Sequence, residues 1–111
     1  MATRNLVIDV IGRVYPERDS KEILAMLDRY GDDPWHREKE RVHLAILKLC
    51  DEEAREDPSV YVSAACEDYR DVLAWAEAPN IFKGVLVKDP QERSALIARD
   101  EAQYRAWLEQ R

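Results

Sequence analysis

The sequence predicts an all-α protein, a small bundle of four to five helices with an apolar connecting segment at residues 80–88. This prediction depends on two observations, the recurring aspartate–proline pairs and the spacing of the apolar residues that follow them. Aspartate directly precedes proline three times, at Asp33-Pro34, Asp57-Pro58 and Asp89-Pro90, and each pair is followed by apolar residues at helical spacing. An aspartate at an N-cap accepts hydrogen bonds from first-turn amides, and proline is well tolerated at the first helical position. The length of 111 residues fits a single helical domain over 1–111.

The first two elements are predicted to be short helices. Residues 5–15 are rich in β-branched side chains, which permits a strand, but a lone strand would have no sheet to join, so we favour a helix. The next helix begins at Asp19, where Glu22 completes a capping box, and it ends near Tyr30 because Gly31 supplies a stop.

The third element, from Pro34 to about Asp51, is predicted to be the central helix. Its main apolar arc is formed by Trp35, Val42, Ile46 and Leu49. Trp35 is expected to lie in the core and to pack over the following helix. Leu44 and Leu47 lie on the opposite side of the helical wheel, so this helix should be sandwiched between neighbours or against a second subunit.

The rest of the chain is predicted to hold two longer helices. One runs from Pro58 to about Ala78, with Asp57 as its cap and Asp68 on a solvated face. The other starts at Asp89 and reaches the C-terminus. The segment between them is too apolar for an ordinary loop and should cover the bundle end or a partner. The residues that we therefore assign to an interface are Leu44, Leu47, Ile81, Phe82 and Leu86.

Charge and cysteine usage restrict the possible partners. Seventeen Lys and Arg against 23 Asp and Glu give a net charge of −6, which disfavours nucleic acid and anionic membranes, and no run of residues is long enough to span a bilayer. Cys50 and Cys66 are too far apart for a metal knuckle, so we expect both to be buried thiols in a reducing cytoplasm. The expected partners are a second copy of the chain, as a homodimer, and an unidentified protein.

His36, Glu40 and His43 form the sharpest polar constellation, at positions i, i+4 and i+7 of the predicted central helix. Glu40-x-x-His43 matches the Glu-x-x-His unit of di-iron helical bundles. The chain has one such unit, so a complete site would require a homodimer, and the two imidazoles are separated by roughly 10 Å of helix rise. A partly exposed histidine face without metal is the simpler interpretation, and no other cofactor is predicted.

A second acidic pattern, Glu52-Glu53-x-x-Glu56 followed by Asp68-x-x-Asp71, resembles in outline the magnesium-binding motifs of all-α nucleotide pyrophosphohydrolases. The resemblance implies carboxylates that hold Mg²⁺ against a pyrophosphate. Two departures weaken it: the first cluster lies at a helix end, and Asp68 stands where a glutamate is expected. An acidic turn between helices explains the same residues.

Three segments, residues 34–49 and 68–77 and the C-terminal Asp100-x-x-x-Tyr104-x-x-Trp107-Leu108, resemble a family of small bacterial helical proteins without an assigned function. The resemblance implies a bacterial cytosolic protein and brings no catalytic residue. The surplus apolar surface of Leu44, Leu47 and residues 81–87 favours a non-enzymatic helical protein-interaction module that acts as a homo-oligomer. The alternative is a metal-dependent helical enzyme that uses His36, Glu40 and His43 or the acidic pattern.

Overall fold

The computed structural model describes residues 2–83 and 89–110, and every regular element in these two ranges is a helix. The all-α prediction is confirmed, with six helices in the described ranges. The additional one is a five-residue helix that overlaps the start of the segment predicted to be a connection. The helices are α1 (Arg4–Val14), α2 (Ser20–Leu27), α3 (Lys39–Glu53), α4 (Ser59–Glu77), α5 (Pro79–Lys83) and α6 (Pro90–Leu108).

The first two helices begin at side-chain caps. The Thr3 hydroxyl oxygen accepts a hydrogen bond from the Leu6 amide at 3.1 Å, and an Asp19 carboxylate oxygen accepts one from the Lys21 amide at 2.9 Å. The helix predicted for residues 5–15 is thereby confirmed. The following helix ends at Leu27, three residues earlier than expected, and turns lead from there to Gly31.

Helix α3 is the centre of the fold, as predicted. All nine residues from Val42 to Cys50 are buried, because α3 packs against α1 and α4. Leu44 is 2% exposed and Leu47 is fully buried, so both lie in the core of this chain. Their assignment to an intersubunit surface is therefore wrong: neighbouring helices of the same chain already cover them.

The start predicted for the central helix is also wrong. Helix α3 begins at Lys39, five residues after Pro34, and Glu38 before it has a left-handed backbone with φ of 52°. The segment from Gly31 to Glu38 is a loop. Trp35 lies in this loop with 69% of its surface exposed, so the prediction that it packs in the core is overturned.

The other two Asp-Pro pairs do start helices. A carboxylate oxygen of Asp57 accepts from the Ser59 amide at 2.9 Å, and Asp89 accepts from the Gln91 amide at 3.0 Å. Asp89 is the N-cap of α6 and binds its second residue, whereas Asp57 lies one residue before the N-cap Pro58 and binds the first residue of α4. These two helix starts were predictable because every group involved lies within two residues.

Helix α4 is interrupted in the middle. Asp68 has an extended backbone, with φ of −157° and ψ of 100°, inside an otherwise helical run. One of its carboxylate oxygens accepts from the Arg70 amide at 3.0 Å, the geometry of an N-cap. Asp68 therefore caps the second half of α4, a structural role that the predicted solvated face does not include.

Helix α5 is fixed to α6 by a buried carboxylate. Asp100 is 2% exposed and accepts from the Asn80 amide at 3.0 Å, the Asn80 side chain at 2.8 Å and the Ile81 amide at 2.9 Å. Ile81 is half-buried, while the Phe82 side chain and Leu86 lie outside the described residues. Over the ranges that the structure describes, no helix is both long and apolar enough to cross a membrane.

Candidate interaction site

The candidate site is a cleft of about 330 Å³ between the loop that carries Trp35 and the break in α4. Its walls come from two parts of the chain that are about thirty positions apart. The lining residues are Tyr30, Trp35, His36, Arg37 and residues 65–70. The extended backbone at Asp68 lies in one wall, so the irregularity of α4 forms part of the site.

The loop is held by a cluster that we call the Tyr30–His36 clamp. The Tyr30 hydroxyl donates to the Arg37 carbonyl at 2.6 Å and accepts from the Arg37 amide at 3.0 Å. The His36 ring stacks on the Tyr30 ring with centroids 4.5 Å apart, and its Nδ1 accepts from the Gly31 amide at 2.7 Å. The clamp fixes the backbone on both sides of Trp35.

Trp35 is consequently exposed and held in place. It is the most exposed of the large apolar side chains in the described ranges, ahead of Val60 at 53%. Ordering a side chain on binding costs free energy, so a loop fixed before binding reduces the cost of association. Tryptophan, tyrosine and arginine are also the residues most enriched where binding energy is concentrated.

The polar groups of the cleft are poorly arranged for nucleophilic chemistry. Desolvation by the surrounding protein, and then the carboxylates of Asp33 and Asp32, raise the pKa of the Cys66 thiol. A raised pKa keeps this sulfur protonated at neutral pH, and a thiol is a weaker nucleophile than a thiolate. The Nδ1 atom of His36 is already occupied by a backbone amide, so this nitrogen is not available as a base. Cys66 and the Nδ1 atom of His36 are therefore not arranged as a thiolate and its base.

Cys66 also departs from its predicted environment. Cys50 is buried as expected, but the Cys66 side chain is exposed in the wall of the cleft. The apolar neighbours of Cys66 in the sequence suggested burial, and the structure turns the sulfur toward the backbone carbonyl of Arg29, at 4.0 Å. The site thus contains a thiol at its surface.

The three residues proposed to bind a metal do not share one helix face. His36 precedes α3 and belongs to the clamp, while Glu40 lies in the first turn of α3. His43 is buried, and its Nε2 lies 2.9 Å from the carbonyl oxygen of Tyr30. Among residues 2–83 and 89–110, no group of three or more His, Cys, Asp and Glu side chains is placed to hold a metal ion.

The acidic pattern is also distributed over separate local contacts. Glu52 pairs with the buried Lys48, and Glu53 accepts hydrogen bonds from Tyr61 and Arg55. Asp68 pairs with Arg70, two residues further along α4. The magnesium motif that these residues resemble requires carboxylates directed at one point, and the carboxylates of Glu52, Glu53 and Asp68 are directed at different partners.

Neither a protein-family model, nor a curated protein, nor a solved structure matches this chain. The resemblance to small bacterial helical proteins therefore stays a prediction.

Proposed function

We propose that this protein is a non-enzymatic helical protein-interaction module that acts as a homo-oligomer. The observation that carries the proposal is Trp35, which is 69% exposed on a loop fixed by the Tyr30–His36 clamp. A tryptophan left in water loses the free energy that its burial would contribute, and a protein interface recovers that energy. Because the loop is already fixed before binding, less of this free energy is spent on ordering it.

The interface in this proposal differs from the one inferred from the sequence. Leu44 and Leu47 cannot contribute, because the chain's own core covers them. Ile81 is half-buried, so the exposed part of its side chain can still contact a partner. The proposed binding surface is therefore centred on Trp35 and the cleft beside it.

The test compares two truncations of exposed apolar side chains, Trp35→Ala and the matched control Val60→Ala. We expect the wild type to self-associate as its concentration rises from about 1 μM to about 1 mM, measured by light scattering after size exclusion. Trp35→Ala should abolish this association and change the free energy of unfolding by less than about 0.5 kcal/mol, because the side chain is exposed. Val60→Ala should leave association intact.

Two outcomes would contradict the proposal. A wild-type mass of 13.0 kDa at every concentration would reject the homo-oligomer. Association that survives in Trp35→Ala would show that a different surface mediates it.

A further inference from the structure

We infer that the occupant of the cleft is Trp35 of a second copy, so that two chains exchange their tryptophans across a twofold axis. This inference rests on the proposed self-association and specifies how it is built. The first argument is position: Trp35 lines the rim of the cleft that it would fill in its partner. In a twofold-symmetric dimer the same patch lies on both sides of the interface, so a projecting residue beside a recess is complementary to its own copy.

The second argument is size. A cleft of about 330 Å³ is at the lower end of the range of small-molecule pockets and has room for one large aromatic side chain. Its walls include the rings of Tyr30 and Tyr69, whose centroids are 6.3 Å apart. Aromatic rings favour edge-to-face and offset contacts at such distances, and an indole can make both kinds.

The third argument is charge. The chain carries a net charge of −6, so two copies repel each other over most of their surfaces. The charged residues that line the cleft are balanced: two arginines, at positions 37 and 70, accompany two acids, at positions 67 and 68. In residues 51–57, by contrast, where α3 ends and the chain turns toward α4, five acids accompany one arginine. Two copies can therefore approach most easily at the cleft, where unlike charges can pair across the axis.

The test separates the tryptophan from the cleft by giving each to a different variant. Trp35→Ala keeps the cleft and lacks the projecting side chain. Cys66→Arg keeps Trp35 and blocks the cleft, and it should fold because Cys66 is exposed. Wild type alkylated at Cys66 with N-ethylmaleimide blocks the cleft independently, since Cys50 is buried.

Each of the three altered proteins, namely Trp35→Ala, Cys66→Arg and the alkylated wild type, should be unable to form either tryptophan–cleft contact with a second copy of itself. A mixture of Trp35→Ala with either blocked protein restores one contact, in which Trp35 of the blocked chain enters the open cleft. We expect this mixture to form a one-to-one heterodimer at least roughly tenfold tighter than either component with itself. Sedimentation with one component fluorescently labelled measures this difference.

Alkylation of Cys66 supplies a second readout. In the dimer, the partner's indole should cover this thiol, so its alkylation rate should fall as the wild-type concentration rises and should stay constant for Trp35→Ala. The exchange of tryptophans is overturned if the mixture associates no more tightly than its components while the wild type dimerises and Trp35→Ala does not. That pattern would leave the proposed function standing. A wild type that remains monomeric would reject both.

Discussion

A single residue, Tyr30, connects the buried core to the exposed loop. Its side chain is 1% exposed, and its carbonyl oxygen lies 2.9 Å from Nε2 of His43 in α3. Its hydroxyl holds both the amide and the carbonyl of Arg37. The position of the loop that carries Trp35 therefore depends on how well the ring of Tyr30 is packed, although the loop itself is in solvent.

His43 should make the stability of the fold sensitive to mild acid. Burial lowers the pKa of His43 below its ordinary value of about 6.5, because the charged imidazolium would be desolvated. In the unfolded chain His43 binds a proton near pH 6.5, whereas in the folded chain it binds one only at a lower pH. The contribution to stability is therefore complete above about pH 6.5 and falls as the pH drops below it, by at most about 1.4 kcal/mol per pH unit.

The measurement is the free energy of unfolding in urea between about pH 7.5 and about pH 5. His43→Gln can still donate a hydrogen bond to Tyr30 and does not titrate, so its profile should be flatter than that of the wild type. His36→Asn is the matched control, since it removes the only other histidine in the sequence. An unchanged slope in His43→Gln would mean that this residue is not the source of the acid sensitivity.

At the scale of elements, Asp57 and Asp68 each accept a hydrogen bond from the amide two residues further on, where a helical segment begins, although Asp68 lies inside a helix. The Asp57→Ala substitution should lower the free energy of unfolding by about 1 kcal/mol, as is usual for an N-cap. Asp68→Ala should cause a comparable loss, because it removes the acceptor for the Arg70 amide where α4 resumes. Urea denaturation measures both, with Glu67→Ala as an exposed neighbour that should change little. An Asp68→Ala protein as stable as the wild type would show that the break needs no cap.

The attachment of α5 to α6 should depend on Asp100. Alanine at this position leaves two backbone amides and the side-chain amide of Asn80 without their acceptor, at a cost of roughly 2–4 kcal/mol. Glu101→Ala, at the next and exposed position of α6, should have almost no effect. Thermal unfolding distinguishes the two variants. Equal melting temperatures would show that apolar contacts alone hold α5 in place.

These elements also show which parts of the structure can be predicted from sequence. The caps at Asp57 and Asp89 were predictable because donor and acceptor lie two residues apart. Asp33-Pro34 has the same sequence pattern, yet no helix starts there. The segment is held instead by the Tyr30 hydroxyl and the His36 ring, which bind backbone groups five to seven positions away. Helical periodicity contains no signal for such contacts.

The candidate site was missed for the same physical reason. Its walls meet through the contacts of the clamp and through the break at Asp68, and neither has a regular spacing. One available signal was Gly31, which lies in a turn four residues before Trp35 and whose φ of 124° favours glycine. A tryptophan in such a turn is more open to solvent than one on the apolar arc of a helix.

At the scale of the whole molecule, burial is distributed very unevenly. Every residue from Val42 to Cys50 in α3 is buried, including Lys48, whose ammonium group reaches Glu52. In residues 89–99, the N-cap and first half of α6, every side chain but the half-buried Leu96 is exposed. In the described part of the chain, α3 is thus enclosed over its nine central residues, and the other helices pack around it to different extents.

The enclosure of α3 sets how its backbone amides exchange with heavy water. To expose the amides of Val42 to Cys50, α1 and α4 must separate from α3. These amides should therefore exchange only when the whole domain unfolds. Amides in residues 89–99 should exchange through local fraying and much faster. The slowest exchange rates in α3 would then report the global free energy of unfolding directly, with no denaturant added.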